Sequence, residues 1–340
     1  MLLSRECKRY KRTASGFDCS IRHPAPAAGC DAPTAGDPAP GGRPPRDDLL
    51  LGSDVEHLIQ EGAMATGPTH AMSGLAAWAA VTALADTHAI GQLSPKTWVV
   101  GATLASGAAL LPDIDHPKST VASTFGGVSR GASAALSGFS GFLYRLTRTK
   151  RDSDRDGTHR GFTHTLIFAV LAGLATTAIV QTSQGTALGV LMFFFAGLAV
   201  RGLMHTWCPR KDAILITVAS LVLTLACWAW AGDQPTDAAA FGLAVMIGCV
   251  AHFVGDAITE QGCPMLWPVP LTGKTWYPVA PPKAMRMRTG GKVEMVLVGP
   301  GLTIVAVALS SVVLYRVGAA PWLAQLDLPP EVMAWIAPSS

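Results

Sequence analysis

The sequence predicts an all-α fold, a polytopic bundle of about seven transmembrane helices with one extra interfacial or re-entrant helix at 120–144. Three observations predict it. The 340-residue chain is 49% hydrophobic but only 14% charged, where a soluble domain carries about 25% charged residues, and its mean hydropathy is +0.34. From Thr69 onward, apolar runs near the length of a bilayer crossing alternate with polar breaks. Lys and Arg gather in alternate breaks, as the positive-inside bias requires. These features exclude an ordinary soluble enzyme. The runs also lack the residue-by-residue alternation of a membrane β-barrel, and there is neither a Gly-X-Y period nor a sustained heptad.

Residues 1–62 stand apart. They open with a basic CKRYKR stretch and continue as Pro/Gly/Ala-rich sequence, which cannot build a core and reads as a disordered tail. No apolar stretch lies between the basic start and Pro24, so the tail is not a secretory signal. Met64, which opens MATGPTHAMSG, offers an alternative start. A membrane-embedded domain is expected over 64–318, and 319–340 reads as a C-terminal tail.

The runs follow in order. The first two, about 71–86 and 97–111, are short and rich in Gly and Ala, which lets neighbouring helices approach closely. The third and fourth are 165–182 and about 187–204. The fifth is 213–231, the sixth about 238–255 and the seventh about 295–315. The Ser/Gly-rich piece at 120–146 is moderately apolar and carries Arg130. It is read as interfacial or re-entrant, because an eighth span there would put 112–119 and 145–160 on opposite sides. The loop 145–160 alone carries six Lys and Arg. Threading the seven runs by this bias places the N-terminus and loops 112–162, 206–212 and 257–293 in the cytoplasm. Loops 87–96, 183–186 and 232–237 and the C-terminus fall outside, with Lys96 a small exception.

The ionisable residues then collect on one side. His70, His116, His159, His164, His205 and His252 all fall at or near cytoplasmic ends of runs, as do Asp113, Asp115 and Asp256. His88 falls in an outer loop, and His23 and His57 lie in the tail. In LLPDIDHPKS at 110–119, Asp113, Asp115 and His116 follow an apolar run between two prolines. Carboxylate oxygen with imidazole nitrogen suits a divalent metal ion such as zinc, manganese or iron. In HRGFTHT at 159–165, a turn at Gly161 and a helix start near Thr163 would let His159 and His164 converge. Thr163 would then cap the helix, and Arg160 would bind a phosphate or carboxylate. In HFVGDAITEQG at 252–262, His252 and Asp256 are four apart and share a helix face, and ionisable residues inside a span point to function. Glu260 continues that face as an acid/base candidate, and Arg201 precedes His205 by one turn.

Other signals are absent. The seven cysteines form no CxxC pair, and Cys227 and Cys249 sit inside apolar runs as small hydrophobes. No phosphate-binding loop, dinucleotide fingerprint, nucleophile elbow or nucleic-acid module occurs.

On the segments GPTHAMSG at 67–74, LLPDIDHPKS, HRGFTHTL at 159–166 and HFVGDAITEQGCPMLWP at 252–268, the chain resembles the LexA-regulated, membrane-bound, predicted metal-dependent hydrolases, the YdjM-like family. Thr165 stands where that family more often has Ser, and Phe253 and Val254 where it has leucines. The resemblance covers roughly 64–315. It implies a multispan inner-membrane protein that hydrolyses a substrate with a bound metal.

The expected site therefore holds one or two divalent ions, zinc or manganese foremost. Ligands come from His70, Asp113, Asp115, His116, His159, His164, His252 and Asp256, with Glu260, Arg160 and Arg201 as catalytic candidates. Eight ligands exceed the four of one zinc, so the residues either share two ions or include groups that only orient ligands. The expected partners are the bilayer and a lipid-like or small amphipathic ester or phosphoester. Two alternatives stay open: a metal-ion or small-solute transporter, and a non-catalytic structural or stress-response membrane protein with a metal-stabilised fold.

Overall fold

The structure is a computed structural model that describes residues 67–84, 93–117, 119–204, 213–231, 237–319 and 329–332. The tail 1–62, Met64, His88, His205, the break near 232–236 and most of the C-terminal tail lie outside the described residues. Helix α1 spans Gly67–Leu84 and α2 Pro95–Ala108, followed by a 3-10 turn at Leu111–Asp115. Next come α3 (Thr120–Thr124), α4 (Gly127–Thr147) and a 3-10 turn at Phe162–His164. Then follow α5 (Leu166–Met204), α6 (Ala213–Ala231), α7 (Ala238–Ala257) and α8 (Gly299–Arg316). The described residues are all-α apart from isolated bridges, such as Cys263 with Val279.

Among the described residues, four helices are long and apolar enough to cross a membrane: Pro95–Asp115, Ala187–Met204, Ala238–Ala257 and Glu294–Arg316. Leu166–Thr182 and Ile214–Ala229 are shorter apolar helices. The third and fourth runs of the sequence fall within the one assigned helix α5. A straight helix of that length would reach about 58 Å at 1.5 Å per residue. Yet both of its ends meet the same end of the bundle. The Leu166 amide donates to Met265 O at 2.9 Å, while Gly202 packs on Leu110 and Gly67. The two arms, Leu166–Thr182 and Ala187–Met204, therefore run in opposite directions, as the sequence expected of separate runs. Contacts at the far end agree: Gly173 meets Gly242, Gly189 meets Trp228, and Arg316 donates to Ala83 O. Among the described residues, seven helical segments thus alternate in direction.

What sets their spacing is the absence of side chains at chosen points. Ala105 O sits between two glycines of neighbouring helices. A Cβ on Gly74 would lie 2.4 Å from that oxygen, and one on Gly248 would lie 2.3 Å from it. Real carbon–oxygen contacts are near 3.4 Å, so only glycine lets α1, α2 and α7 meet here. Gly74 is one turn after His70, and Gly248 is one turn before His252. A close backbone approach of three helices therefore lies one turn from two of the predicted ligands. Indole contacts fix the other end: Trp78 Nε1 donates to Trp98 O at 3.1 Å, and Trp98 Nε1 to Thr82 Oγ1 at 2.8 Å.

Helix α4 behaves differently. It packs on the Leu111–Asp115 turn, α3 and the Phe162–His164 turn, and does not run alongside the bundle helices. The segments 148–156 and 272–276 close the same end. Asp152 joins them, because its carboxylate accepts from the amides of Thr149, Thr275 and Trp276. Partial burial pushes the Asp152 carboxyl up, but these amides and the Thr149 hydroxyl outweigh it and hold it below the usual carboxylate range.

Candidate metal centre

Four chain segments meet at that end. His70 comes from the first turn of α1, and Asp113 and Asp115 from the 3-10 turn after α2. His164 ends the turn before α5, and His252 and Asp256 lie one turn apart near the end of α7. The prolines flanking 113–116 and the five-residue 3-10 turn put Asp113 and Asp115 on adjacent faces of a stiff corner. His70, Asp115, His164, His252 and Asp256 are buried, and Asp113 keeps a small opening, with 11% of its side chain exposed.

His252 supplies the key to the electrostatics. Its Nδ1–H donates to Ala109 O at 2.8 Å, because a carbonyl can only accept. In neutral His252 the Nε2 lone pair therefore faces inward. It lies 3.3 Å from His164 Nε2, 3.6 Å from Asp113 Oδ1 and 3.6 Å from Asp256 Oδ2. His164 Nε2 is 3.4 Å from Asp256 Oδ2 and 3.7 Å from Asp113 Oδ1. His70 stacks on His252 with ring centroids 3.9 Å apart. His70 Nε2, Asp113 Oδ1 and Asp256 Oδ2 are buried without hydrogen-bond partners. Leaving a buried polar atom unpaired costs about 1–3 kcal/mol, and the neighbouring Asp113 and Asp256 carboxylates repel one another. A cation at their centre removes both penalties. Ligand atoms of His70, Asp113 and His252 lie within 4.8 Å of one another, and so do those of His164, His252 and Asp256. The residues present thus fit a divalent ion, and the two triads share His252.

A second layer orients these atoms. Asp115 Oδ2 accepts from Thr163 Oγ1 at 2.6 Å and lies 3.5 Å from His164 Nδ1. Its Oδ1 is 3.1 Å from His159 Nδ1. Burial disfavours charge on His164, but the Asp115 charge and the nearby carboxylates of Asp113 and Asp256 hold its proton well above the usual histidine range. Arg160, buried and at φ 50°, places its Nη2 3.0 Å from Asp256 Oδ1 and its Nη1 3.1 Å from Gly262 O.

The other predicted residues sit further out. His159 keeps 29% of its side chain exposed, and its ring lies tilted against that of half-buried His116 at 4.9 Å. Glu260 is exposed in the turn after α7, and its carbonyl accepts from Arg286. Arg201 lies half-buried in the last turn of α5 at the site end. Thr163 does not cap α5. The helix starts at Leu166, and Thr165 Oγ1 accepts from the Phe168 amide at 3.2 Å. That leaves Thr163 free to hold Asp115. Gly255 faces the His70 ring, since a Cβ there would lie 3.4 Å from His70 Cε1.

Two features were not legible in the residues. Glu294 is fully buried and within electrostatic range of His70, and its Oε2 accepts from the Gly290 amide at 2.8 Å. The seventh apolar run begins just after it, and an ionisable residue heading a span would have flagged it. Cys263 Sγ donates to His164 O at 3.4 Å. Burial pushes its thiol up to about 12, and as a thiol it braces the ligand segment.

The family model described as YdjM inner membrane protein matches residues 64–318. No curated protein and no solved structure matches the chain.

Proposed function

The chain belongs to the YdjM inner membrane protein family, and on that premise we propose that it is a membrane-bound, metal-dependent hydrolase of an ester or phosphoester at the cytoplasmic membrane face. The observation that carries this reading is the buried convergence of His and Asp side chains from four segments, three of which bring a nitrogen or oxygen atom that has no hydrogen-bond partner. In this reading all seven helical segments cross the membrane. One or two divalent ions, zinc or manganese, are held by His70, Asp113, His164, His252 and Asp256, a nitrogen and oxygen set that suits either metal. Bound there, the ion supplies a Lewis acid that makes water nucleophilic near neutral pH.

The chain's own groups do the rest. Asp115 fixes the ring of His164 and holds His159 at the rim. Substrate reaches the centre past Asp113, its exposed edge. His159, oriented through Nδ1, carries the proton at Nε2, a role worth about 10²–10⁴ in rate. Arg160 is engaged by Asp256 and acts by positioning it. Arg201 meets negative charge on the substrate, and Glu260 relays protons from outside. His116 supports His159.

Purified protein stripped by chelator and reloaded with zinc or manganese tests this on an aryl phosphodiester and an aryl ester. Turnover should follow metal content. His159→Gln should lose at least 100-fold in kcat at unchanged metal content. Metal-loaded protein that hydrolyses neither substrate would overturn the hydrolase reading.

A further inference from the structure

Helix α4 is built inside out for a water-soluble cap. Its inward face is polar and small: Ser129, Ser133, Ser140, Gly141 and Tyr144 are buried. Its outward face carries Val128, Ala135, Phe139, Phe142 and Leu146, all exposed. Those five are spaced i, i+7, i+11, i+14 and i+18, so they form one straight stripe along the helix. Arg130 and Arg145 are exposed near its two ends, and no Asp or Glu occurs between 119 and 147. The apolar stripe continues into the bundle's own apolar exterior. Phe139 meets Phe162 edge-on at 5.3 Å and Phe162 meets Phe168 at 5.8 Å, beside exposed Leu166, Ile167 and Val170.

We propose that α4 lies along the lipid–water boundary at the site end. Its apolar stripe sits in the acyl layer, and its arginines sit on anionic phospholipid headgroups of that leaflet. The inference rests on membrane embedding and not on the hydrolase reading. The outward stripe matches a helix buried about 5–10 Å into the headgroup–acyl boundary, and the all-basic charge matches an anionic surface. A spanning role fits poorly, because among the described helices and turns α4 packs chiefly on the two 3-10 turns and on α3, at one end of the bundle. The inward face grips the ligand segments. Ser137 Oγ donates to Asp115 O. Ser140 Oγ donates to Gly157 O at 2.7 Å and accepts from the Phe162 amide at 2.9 Å. The lipid surface therefore bears on the segments that carry Asp115, His159 and His164.

The test places spin labels one at a time through Val128→Cys, Ala135→Cys, Phe142→Cys and Leu146→Cys. The full chain is reconstituted in vesicles of phosphatidylcholine with or without phosphatidylglycerol, and the signal of the identically treated parent is subtracted. Accessibility to oxygen and to a water-soluble nickel chelate gives the depth of each label. The expected result is one shared shallow depth for all four labels, favouring oxygen. A gradient of about 27 Å between Val128 and Leu146, from 1.5 Å per residue, would make α4 a span and overturn the proposal. Labels open to the nickel chelate, or shielded from both reagents by a second protein surface, would overturn it equally. Phosphatidylglycerol should deepen the labels, and Arg130→Gln combined with Arg145→Gln should remove that difference. Equal depths with and without phosphatidylglycerol in the parent would overturn the anionic-headgroup part. Size-exclusion behaviour in detergent checks that each variant is folded.

Discussion

Replacing Gly248 with alanine should damage a metal centre that Gly248 never touches. The added Cβ would lie 2.3 Å from Ala105 O, 2.9 Å from Ala108 Cβ and 3.0 Å from Ala109 N. None of these is the end of a flexible side chain, so α7 must move from α2 by about 1 Å to restore ordinary contact near 3.4 Å. His252 lies one turn on. Its hydrogen bond to Ala109 O is 2.8 Å, and a 1 Å separation would take it beyond bonding distance. Overpacking costs about 1–3 kcal/mol, and an unmade buried hydrogen bond costs a similar amount. At 1.4 kcal/mol per tenfold, even one of these lowers metal affinity by roughly 10-fold, and both together by roughly 100-fold or more. Zinc competition against a chromophoric chelator, with thermal unfolding in detergent, reads this out. Gly74→Ala meets the same carbonyl at 2.4 Å from the other flank and should behave alike. Gly138→Ala, with nothing within 4 Å, should leave affinity unchanged and favour the helix by about 0.5–1 kcal/mol. Folded Gly248→Ala protein with parental zinc affinity would refute the idea that glycine contacts set the site.

Other outcomes follow from the same geometry. Arg160→Met leaves Asp256 buried without its cation, and removing one partner of a buried pair costs about 3–5 kcal/mol; the unfolding temperature should fall sharply. Thr163→Val removes the donor to Asp115 and should weaken metal binding on the order of 10–100-fold while leaving a detectable site; chelator competition measures it. The depressed Asp152 carboxyl contributes stability that is full above the ordinary carboxylate range and lost as pH falls through its folded value. The stability gap between the parent and Asp152→Asn should therefore be widest at neutral pH and close in acid, as followed by thermal unfolding across pH.

The sequence made the helical segments and their alternation legible because hydropathy and charge bias act along the chain. The DxDH, HRGxTH and HxxxD segments were legible because clustered ionisable groups at the ends of apolar runs are rare without a purpose. What stayed hidden depends on contacts across the chain. No local pattern says that Ala109 offers its carbonyl to His252, or that Arg160 turns inward to Asp256. Asp113 and Asp115 read alike in sequence, yet a corner of 3-10 turn sends the first into the centre and the second to brace His164. Thr163 had the type and place of a cap, but Thr165 caps the helix because α5 begins three residues beyond Thr163. Glu294 escaped notice by standing one position outside a run defined by its apolar residues.

The central claim is that His70, Asp113, His164, His252 and Asp256 form one metal centre. Elemental analysis of the purified chain beside Asp113→Ala and His164→Ala, each shown to be folded, tests it most directly. The parent should retain one or two equivalents of zinc or manganese, and both variants should lose metal although the residues come from separate segments. Unchanged metal content in both folded variants would contradict it.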